Sequence, residues 1–270
     1  MKPPPFDYYA PETVEGAVEL LASREGARVR AGGQSLVQLM KFRLAKPTAL
    51  VDINRVAGLD VIERVNGEVR IGAIVRQQTL LEHAVVAGAC PLLREAARFI
   101  GYQETRRRGT LAGSLALAAP WGELTAAVVA LDALIEVRSV RGERSITARE
   151  FFRGPHVTTL EADELIVGVR VPVAPAGSGA AFHEVSARYR DYAQVAAAAV
   201  ASAGGSAELV LLCVAQTPFR LTLEDDEALD DLLSGIEPLD DVEASAAYRR
   251  RVVPVLARRA LGEARAKATA

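Results

Sequence analysis

Two short glycine-bearing stretches, Arg30-Ala31-Gly32-Gly33-Gln34-Ser35-Leu36 and Arg108-Gly109-Thr110-Leu111-Ala112-Gly113-Ser114, decide how this chain is read. Glycine removes the Cβ that holds a ligand away from the backbone. It also permits positive φ, so that successive amides can converge on an anion. Ser35, Thr110 and Ser114 add hydroxyl donors. Neither stretch has the dinucleotide fingerprint or the P-loop spacing. One such stretch alone is more commonly a tight turn. Two with the same glycine-plus-hydroxyl character, each following an apolar element, point to an extended diphosphate-containing cofactor held by another architecture.

The bulk properties narrow the classes. The chain has 270 residues, half of them apolar, and a net charge of -2. That length suits two ordinary domains with a large core, and the charge gives no footprint for nucleic acid. No apolar run approaches the roughly 20 residues that span a bilayer. Met1-Lys2-Pro3-Pro4-Pro5 lacks a signal-peptide apolar region, so a cytoplasmic protein is expected. The two cysteines, Cys90 and Cys213, are too few for an iron–sulfur cluster, and His83, His156 and His183 lack zinc-site spacing. No metal site is expected.

Local patterns give the elements. Thr13 reads as a helix N-cap before Val14, Ala17, Val18 and Leu21, with Gly26 ending the helix. Ala27–Arg30 is a strand feeding the first glycine stretch, a helical turn follows it, and Ala49–Ile53 is a second strand. Val61–Val65 and Val69–Ala73 flank Asn66-Gly67, a hairpin signal. Pro91 opens a helix through Ile100. Glu123–Asp132 reads as a helix, and Leu134–Val140 and Leu165–Val171 as strands. The stretch from Pro172 to Gly179 is a linker. Three strands near 180–187, 193–203 and 207–215 come next, the alanine-rich middle one being easily mistaken for a helix. Two or three helices follow from about Leu223, with Arg249–Lys267 a basic amphipathic helix pair.

Several residues keep two readings on pattern alone. Glu123 is either an acceptor for sugar or ribityl hydroxyls or an acid at a helix N-terminus. Arg106-Arg107-Arg108 is either a solvated loop or a phosphate-steering run. Trp121 either stacks on a ring or packs, packing being favoured.

These residues resemble the FAD-binding medium subunit of the molybdenum hydroxylases, the xanthine dehydrogenase and carbon monoxide dehydrogenase family. Ala31–Leu36 is similar to the family's AGG[HQ]SL, continuing into Met40–Pro47 and Leu50-Val51-Asp52-Ile53. Gly109, Thr110, Gly113, Ser114, Ala116, Pro120 and Glu123 match its second signature. Phe182, Glu184-Val185, Arg188 and Asp191-Tyr192-Ala193 look like the opening of its C-terminal domain. The resemblance covers nearly the whole chain.

It implies an α+β architecture: a two-lobed FAD-binding fold of the vanillyl-alcohol-oxidase (PCMH) type plus a C-terminal βββαα domain. The expected division is an FAD-binding domain over 1–172 with lobes of about 1–55 and 56–172, a linker over 173–179, and a C-terminal domain over 180–270. The implied cofactor is FAD. Its implied contacts are Ala31, Gly32, Gly33, Gln34, Ser35, Leu36, Ile100, Thr110, Leu111, Ala112, Gly113, Ser114, Glu123, Ile166 and Tyr192. Tyr192 is the aromatic residue expected against the isoalloxazine ring. No catalytic acid, base or nucleophile is expected, because the flavin carries the redox chemistry. The implied partners are a molybdopterin large subunit and a 2Fe-2S small subunit on separate chains, with NAD, quinone or oxygen as acceptor. A free-standing FAD-dependent oxidoreductase and a flavin-free scaffold subunit are the alternatives. The chain departs from the pattern at Ala112, which replaces a glycine and fits only at negative φ. Leu117 and Ala119 replace polar residues, and His183 falls where some relatives carry a cofactor-contacting lysine.

Overall fold

A computed structural model describes residues 2–224 and 229–268. The chain opens with β1 (Asp7–Tyr9), α1 (Val14–Ser23), β2 (Ala27–Arg30), α2 (Leu36–Lys41) and β3 (Ala49–Asp52). Thr13 caps α1, its hydroxyl accepting the Gly16 amide at 3.1 Å. Ala17, Val18 and Leu21 form the buried stripe, and Gly26 turns the chain at φ +75° into β2. β3 is the centre of a parallel sheet ordered β1-β3-β2, with Tyr8 opposite Leu50 and Val29 opposite Val51. Both glycine-stretch expectations for this region hold: β2 delivers the chain into Ala31–Ser35, and α2 carries it away.

The middle of the chain runs β4 (Ile62–Val65), β5 (Glu68–Gly72), α3 (Gln77–Glu82), α4 (Ala84–Ala89), α5 (Pro91–Ala97), α6 (Gln103–Arg106), α7 (Leu111–Leu117) and α8 (Glu123–Ala130). It continues with β6 (Leu134–Ser139), β7 (Gly142–Thr147), α9 (Ala148–Phe151), β8 (Phe152–Gly154), β9 (Val157–Thr158) and β10 (Leu165–Pro172). β4, β5, β10, β6 and β7 form, in that order, an antiparallel sheet. Asn66 and Gly67 both take positive φ, +51° and +82°, and close the β4–β5 hairpin as their pairing predicts. Pro91 does open α5, but the helix stops at Ala97. The loop beyond it is held by the buried Arg106, which donates to the carbonyls of Ile100 at 2.9 Å and Gly101 at 2.7 Å. Arg106 is therefore neither solvated nor aimed at a ligand, while Arg107 and Arg108 are exposed.

The last part contains β11 (Gly179–Ser186), β12 (Ala193–Ala201), β13 (Ala207–Leu212), β14 (Phe219–Leu223), α10 (Leu229–Ser234) and α11 (Ala246–Ala268). The expected βββαα order is corrected to four strands, antiparallel in sequence order. β14 escapes a sequence reading because it is five residues long and half polar. Arg220 and Thr222 share the face opposite the buried Leu221 and Leu223 and bind Glu208 on β13 at 2.6 and 3.0 Å, Arg220 also reaching Asp132 and the Val129 carbonyl at the end of α8. The expected helix pair over Arg249–Lys267 is one helix that runs through Pro254. Residues 225–228, where the tail helices were expected to begin, lie outside the described residues.

The alanine run of β12 follows from its burial on both faces. Ala196 and Ala198 join the main core with α5 and α8, while Ala197 and Ala199 join a second core beneath α11. Side chains that small let helices approach the sheet closely. The closest approach is at Gly179, where an added Cβ would lie 2.0 Å from the Ala264 carbonyl oxygen of α11. Among the described residues no helix is long and apolar enough to cross a membrane. Gly179→Ala should push α11 off the sheet and cost stability at the upper end of the roughly 1–3 kcal/mol of overpacking. The denaturant midpoint measures it, and Gly262→Ala, whose Cβ meets nothing within 4 Å, is the control.

Candidate functional site

The two glycine stretches, far apart in sequence, meet backbone to backbone. A Cβ on Gly32 would fall 2.2 Å from the Arg108 carbonyl oxygen and 2.9 Å from Gly109 Cα. Only glycine fits there. A Cβ on Gly109 would lie 2.3 Å from the Gln77 amide oxygen, so the Gln77 side chain would have to move. Gly33 takes φ +71° one residue on, which turns the chain into α2.

A polar network fixes this contact from behind. Asn54 donates to the Ala31 carbonyl at 2.8 Å, and Arg76 donates to the Arg108 carbonyl at 2.7 Å. Arg76 also donates to the Asn54 amide oxygen at 2.6 Å, so one pair of side chains ties both stretches together. Asp52, buried at the end of β3, accepts from the Asn54 backbone amide at 3.0 Å, from Tyr8 at 2.5 Å and from Arg30. Burial works to raise the Asp52 pKa. The hydrogen bonds from Tyr8 and Asn54 and the charge of Arg30 outweigh it, and the carboxyl stays below its usual range. The segment 75–77 is strapped along the second stretch by Gln77 N–H to Gly109 C=O at 2.9 Å and Leu111 N–H to Val75 C=O at 3.2 Å.

With their carbonyls held, the stretches present donors. The amides of Gly32, Gly33, Gln34 and Ser35 have no protein acceptor among the described residues. The Ser35 hydroxyl makes no cap bond to α2. Arg30, Arg76 and Arg108 lie close enough to repel one another, since burial and then the charges of Arg108 and Arg30 lower the Arg76 pKa. Three guanidiniums against the single carboxylate of Asp52 leave an excess of positive charge, which suits a diphosphate. The hydroxyls of the second stretch also serve the protein itself. Thr110 spends its oxygen capping α7, accepting from Gly113 N–H at 3.0 Å. Ser114 donates to the Thr110 carbonyl at 3.2 Å and accepts from Gln77 at 2.8 Å. Leu111 has its side chain fully buried and its amide bonded to Val75. Ala112 lies in the helical backbone of α7, where its methyl is unstrained.

The chain leaving α7 builds the other end. Trp121 lies 4.7 Å from the Tyr192 ring at 35° and 5.8 Å from the His156 ring. Trp121 therefore stacks as well as packs. The Tyr192 ring itself is 57% exposed, so one side remains open to a ligand. Ala118, His156, Arg190 and Cys213, all non-glycine residues at positive φ, bound this end. Left-handed backbone at such residues costs about 1–3 kcal/mol each and concentrates at functional sites. Arg190 holds the loop carrying Tyr192 against the Arg98 and Gly101 carbonyls at 2.8 and 2.9 Å. A cavity of about 310 Å³ lies beside Trp121, His156 and Cys213. Ile100 and Ile166 are both buried in the main core.

Glu123, the first residue of α8, is partly exposed, and burial raises its pKa to about 7. A second acid that the sequence reading did not place at the site, Glu184, also has its pKa raised, by burial and then by the charge of Glu123. Glu184 lies on the face of β11 that also carries the core residues Ala180 and Phe182, and its Oε2 is buried with no hydrogen-bond partner. His183, on the opposite face, instead pairs with Glu263 of α11 at 2.7 Å. Strand alternation carries the signal that separates the two. Asn54, Arg76 and Gln77 were also missed: they bind backbone carbonyls, one another, Asp52 and Ser114, a bracing role that no residue spacing reveals. A larger cavity, about 560 Å³, opens between α1 and the antiparallel sheet and is lined by Arg70, Glu136, Arg138, Glu143 and Arg144. Those charges are paired, and the cavity lacks the donor set of the glycine stretches.

Paired glycine stretches with free amides and surplus positive charge, on a mixed helix–strand frame, define a protein that holds a phosphate-bearing cofactor. The chain belongs to the family of FAD-binding domains of molybdopterin dehydrogenases, whose model matches residues 4–174, and its cofactor is FAD. It is 38% identical to the 6-hydroxypseudooxynicotine dehydrogenase complex subunit alpha of Paenarthrobacter nicotinovorans, over 98% of this chain and 96% of that protein. It is 35% identical to the nicotine 6-hydroxylase medium subunit of the same organism, over 99% and 100%. A carbon monoxide dehydrogenase structure from Hydrogenophaga pseudoflava, lacking the Mo-pyranopterin moiety, superposes with TM-score 0.94 at 33% identity over 99% of both chains.

Asp52→Asn should leave Arg30 without its counterion and lower stability by about 1.5–3 kcal/mol, the scale of a hydrogen bond to a charged group. The Asp52 pKa is depressed on folding, so its contribution is present above the unfolded pKa and is lost as pH falls through the folded one. The gap between wild type and variant should therefore close in acid, below about pH 4. Chemical denaturation at a series of pH values measures it.

Proposed function

We propose that this chain is the flavoprotein subunit of a molybdenum hydroxylase, receiving electrons from a molybdopterin subunit by way of an iron–sulfur subunit and passing them to NAD, quinone or oxygen. The observation that carries the reading is the Gly32–Arg108–Gly109 contact, a backbone cradle that any Cβ would fill. The residues fit FAD at three points. Ala31–Leu36 wrap the diphosphate, the amides of Gly32, Gly33, Gln34 and Ser35 being free to donate to it. Arg30, Arg76 and Arg108 supply positive charge. Tyr192, backed by Trp121, offers a ring face. Bound FAD supplies a ring system that accepts electrons singly or in pairs.

The chain's own residues do the rest. Asn54 and Arg76 hold the cradle's carbonyls so that its amides are already oriented before the cofactor arrives, which lowers the ordering cost of binding. Thr110, Ala112, Gly113 and Ser114 set the start of α7 beside the cradle. Glu123 accepts from cofactor hydroxyls. Ile100 and Ile166 close the apolar surroundings. Residues 1–172 form the FAD-binding domain of PCMH type, with lobes of about 1–55 and 56–172. Residues 173–179 link it to the C-terminal domain over 180–270. The division follows the separation of the parallel, the five-stranded and the four-stranded sheets. The absence of any group of three or more potential metal ligands among the described residues suits a subunit whose metal centres sit on partner chains. The cytoplasm is the proposed location.

The purified chain mixed with FAD and passed through gel filtration should keep a flavin absorption spectrum, and Gly32→Ala should weaken FAD binding by at least roughly tenfold, about 1.4 kcal/mol. A wild-type chain that emerges colourless, with its circular dichroism intact, overturns the reading and favours a flavin-free scaffold. Reduction of the bound flavin by a small organic substrate, with no partner subunits present, would favour a free-standing oxidoreductase.

A further inference from the structure

We propose that the cavity beside Trp121 is a binding site for a small organic cation, an ammonium that rests against the indole and is held by the carboxylates of the segment leading into α11. The inference does not rest on the flavin reading, because none of the residues assigned to FAD lines this cavity.

The cavity holds about 310 Å³, at the small end of the roughly 300–1,000 Å³ of small-molecule sites. Distant parts of the chain meet around it. The turn between α7 and α8 supplies Trp121, the turn between β8 and β9 supplies His156, and Cys213 follows directly on β13. The segment between α10 and α11 adds Asp240, Asp241 and Glu243, and the first turn of α11 adds Arg249. Two rings form one side. His156 and Trp121 meet edge to face at 5.8 Å, and Tyr192 packs on the same indole at 4.7 Å. His156 Nδ1 lies 3.0 Å from the Leu117 carbonyl. A carbonyl only accepts, so Nδ1 carries the proton and the neutral ring leaves Nε2 as an acceptor.

The other side is negative. Among the described residues that line the cavity, Arg249 is the one permanent cation, and it is 1% exposed. It is committed to the Gln194 and Leu239 carbonyls at 3.0 and 2.7 Å and to Asp241 at 2.9 Å. Asp241 therefore cancels its charge. Asp240 accepts from the Ala246 amide at the start of α11, which leaves its own charge in place. Glu243 is exposed; its backbone is bonded to Asp241 and Gln194, and its carboxylate has no partner among the described residues. Cys213 registers the same imbalance. Beyond burial, Arg249 lowers the thiol's pKa, while Asp241, Glu184 and Glu123 all raise it.

This chemistry selects the ligand class. An anion would meet the surplus of carboxylates. A bare divalent metal ion needs several converging oxygens, and the described residues contain no group of three potential ligands that would hold one. An organic ammonium needs no such cage. Its charge is attracted by the indole and by Asp240 and Glu243, and its carbon substituents suit the walls at Pro120, Pro155 and Leu239.

Trp121 is the only tryptophan of the chain, so intrinsic tryptophan fluorescence reports on this cavity alone. The test titrates the full chain, with no FAD added, with three compounds of one shape. They are choline, the neutral alcohol in which carbon replaces the choline nitrogen, and the tert-butylacetate anion. Choline should change the emission saturably. The alcohol should bind about tenfold more weakly, and the anion should leave the emission unchanged. Glu243→Gln should weaken choline about fivefold and leave the alcohol as it was. No saturable response to choline overturns the proposal. Equal affinity for choline and the alcohol, or a variant that weakens both alike, also overturns it, since shape or local structure and not charge would then decide binding. Equilibrium dialysis is the second measurement. One choline held per chain supports the site, whereas choline retained while Trp121 stays silent puts the cation elsewhere and overturns the assignment.

Discussion

The organisation of this protein depends on one close contact, Gly32 lying against the Arg108 carbonyl and Gly109 Cα. Each partner comes from a different sheet neighbourhood. Gly32 follows β2 of the parallel sheet, and Gly109 is strapped to the segment after β5 of the antiparallel one. Backbone can touch backbone only where no Cβ intervenes. The contact therefore does two jobs: it docks the two sheets, and it leaves a row of amides on the far side with no acceptor among the described residues. Unsatisfied donors of that kind are costly in an interior and useful at a surface that receives an anion.

The network behind the contact explains why it can persist. Among the described residues, Asp52 is the carboxylate that faces Arg30 and Arg76, and it is held ionised by Tyr8, Asn54 and Arg30. Its charge is enough to organise Arg30 without cancelling the other two guanidiniums. Were the site fully neutralised, it would be more stable alone and less attractive to a diphosphate. Retaining uncompensated positive charge places part of the protein's stability in its ligand, since whatever binds the folded state alone adds to its stability.

Legibility from sequence divides along physical lines. Features set by one residue's own backbone or side chain were readable: the Thr13 cap, the Asn66-Gly67 hairpin, Pro91 at the start of α5, and the glycine stretches themselves. Features set by a distant partner were not. β14 exists because Arg220 and Thr222 find Glu208, and α11 stays continuous through Pro254 because Val253, Leu256 and Ala257 are buried against β12 and β11. The Ala112 methyl looked unfavourable only while the second stretch was imagined as a loop. The helix that Thr110 caps removes the difficulty. Arg106 shows the converse, a basic run whose first member is an interior brace.

The aromatic end carries the same lesson with a chemical consequence. His183 and Glu184 are adjacent in sequence, yet strand alternation sends one to α11 and the other to the face that carries Ala180 and Phe182. His183 thus meets Glu263 of the long C-terminal helix, while Glu184 keeps a buried oxygen with no hydrogen-bond partner. Cationic and acidic surroundings act oppositely on a bound redox group, because the reduced form carries the added electrons and is stabilised by positive charge and by protons. In this chain the positive charge is concentrated at the cradle. The aromatic end differs: its loops turn on the left-handed residues Ala118, His156, Arg190 and Cys213, and burial, not a charge partner, dominates the raised pKa of Glu123 there. The two ends of the proposed site are therefore built on different physics, charge and free amides at one and packed rings and strained turns at the other.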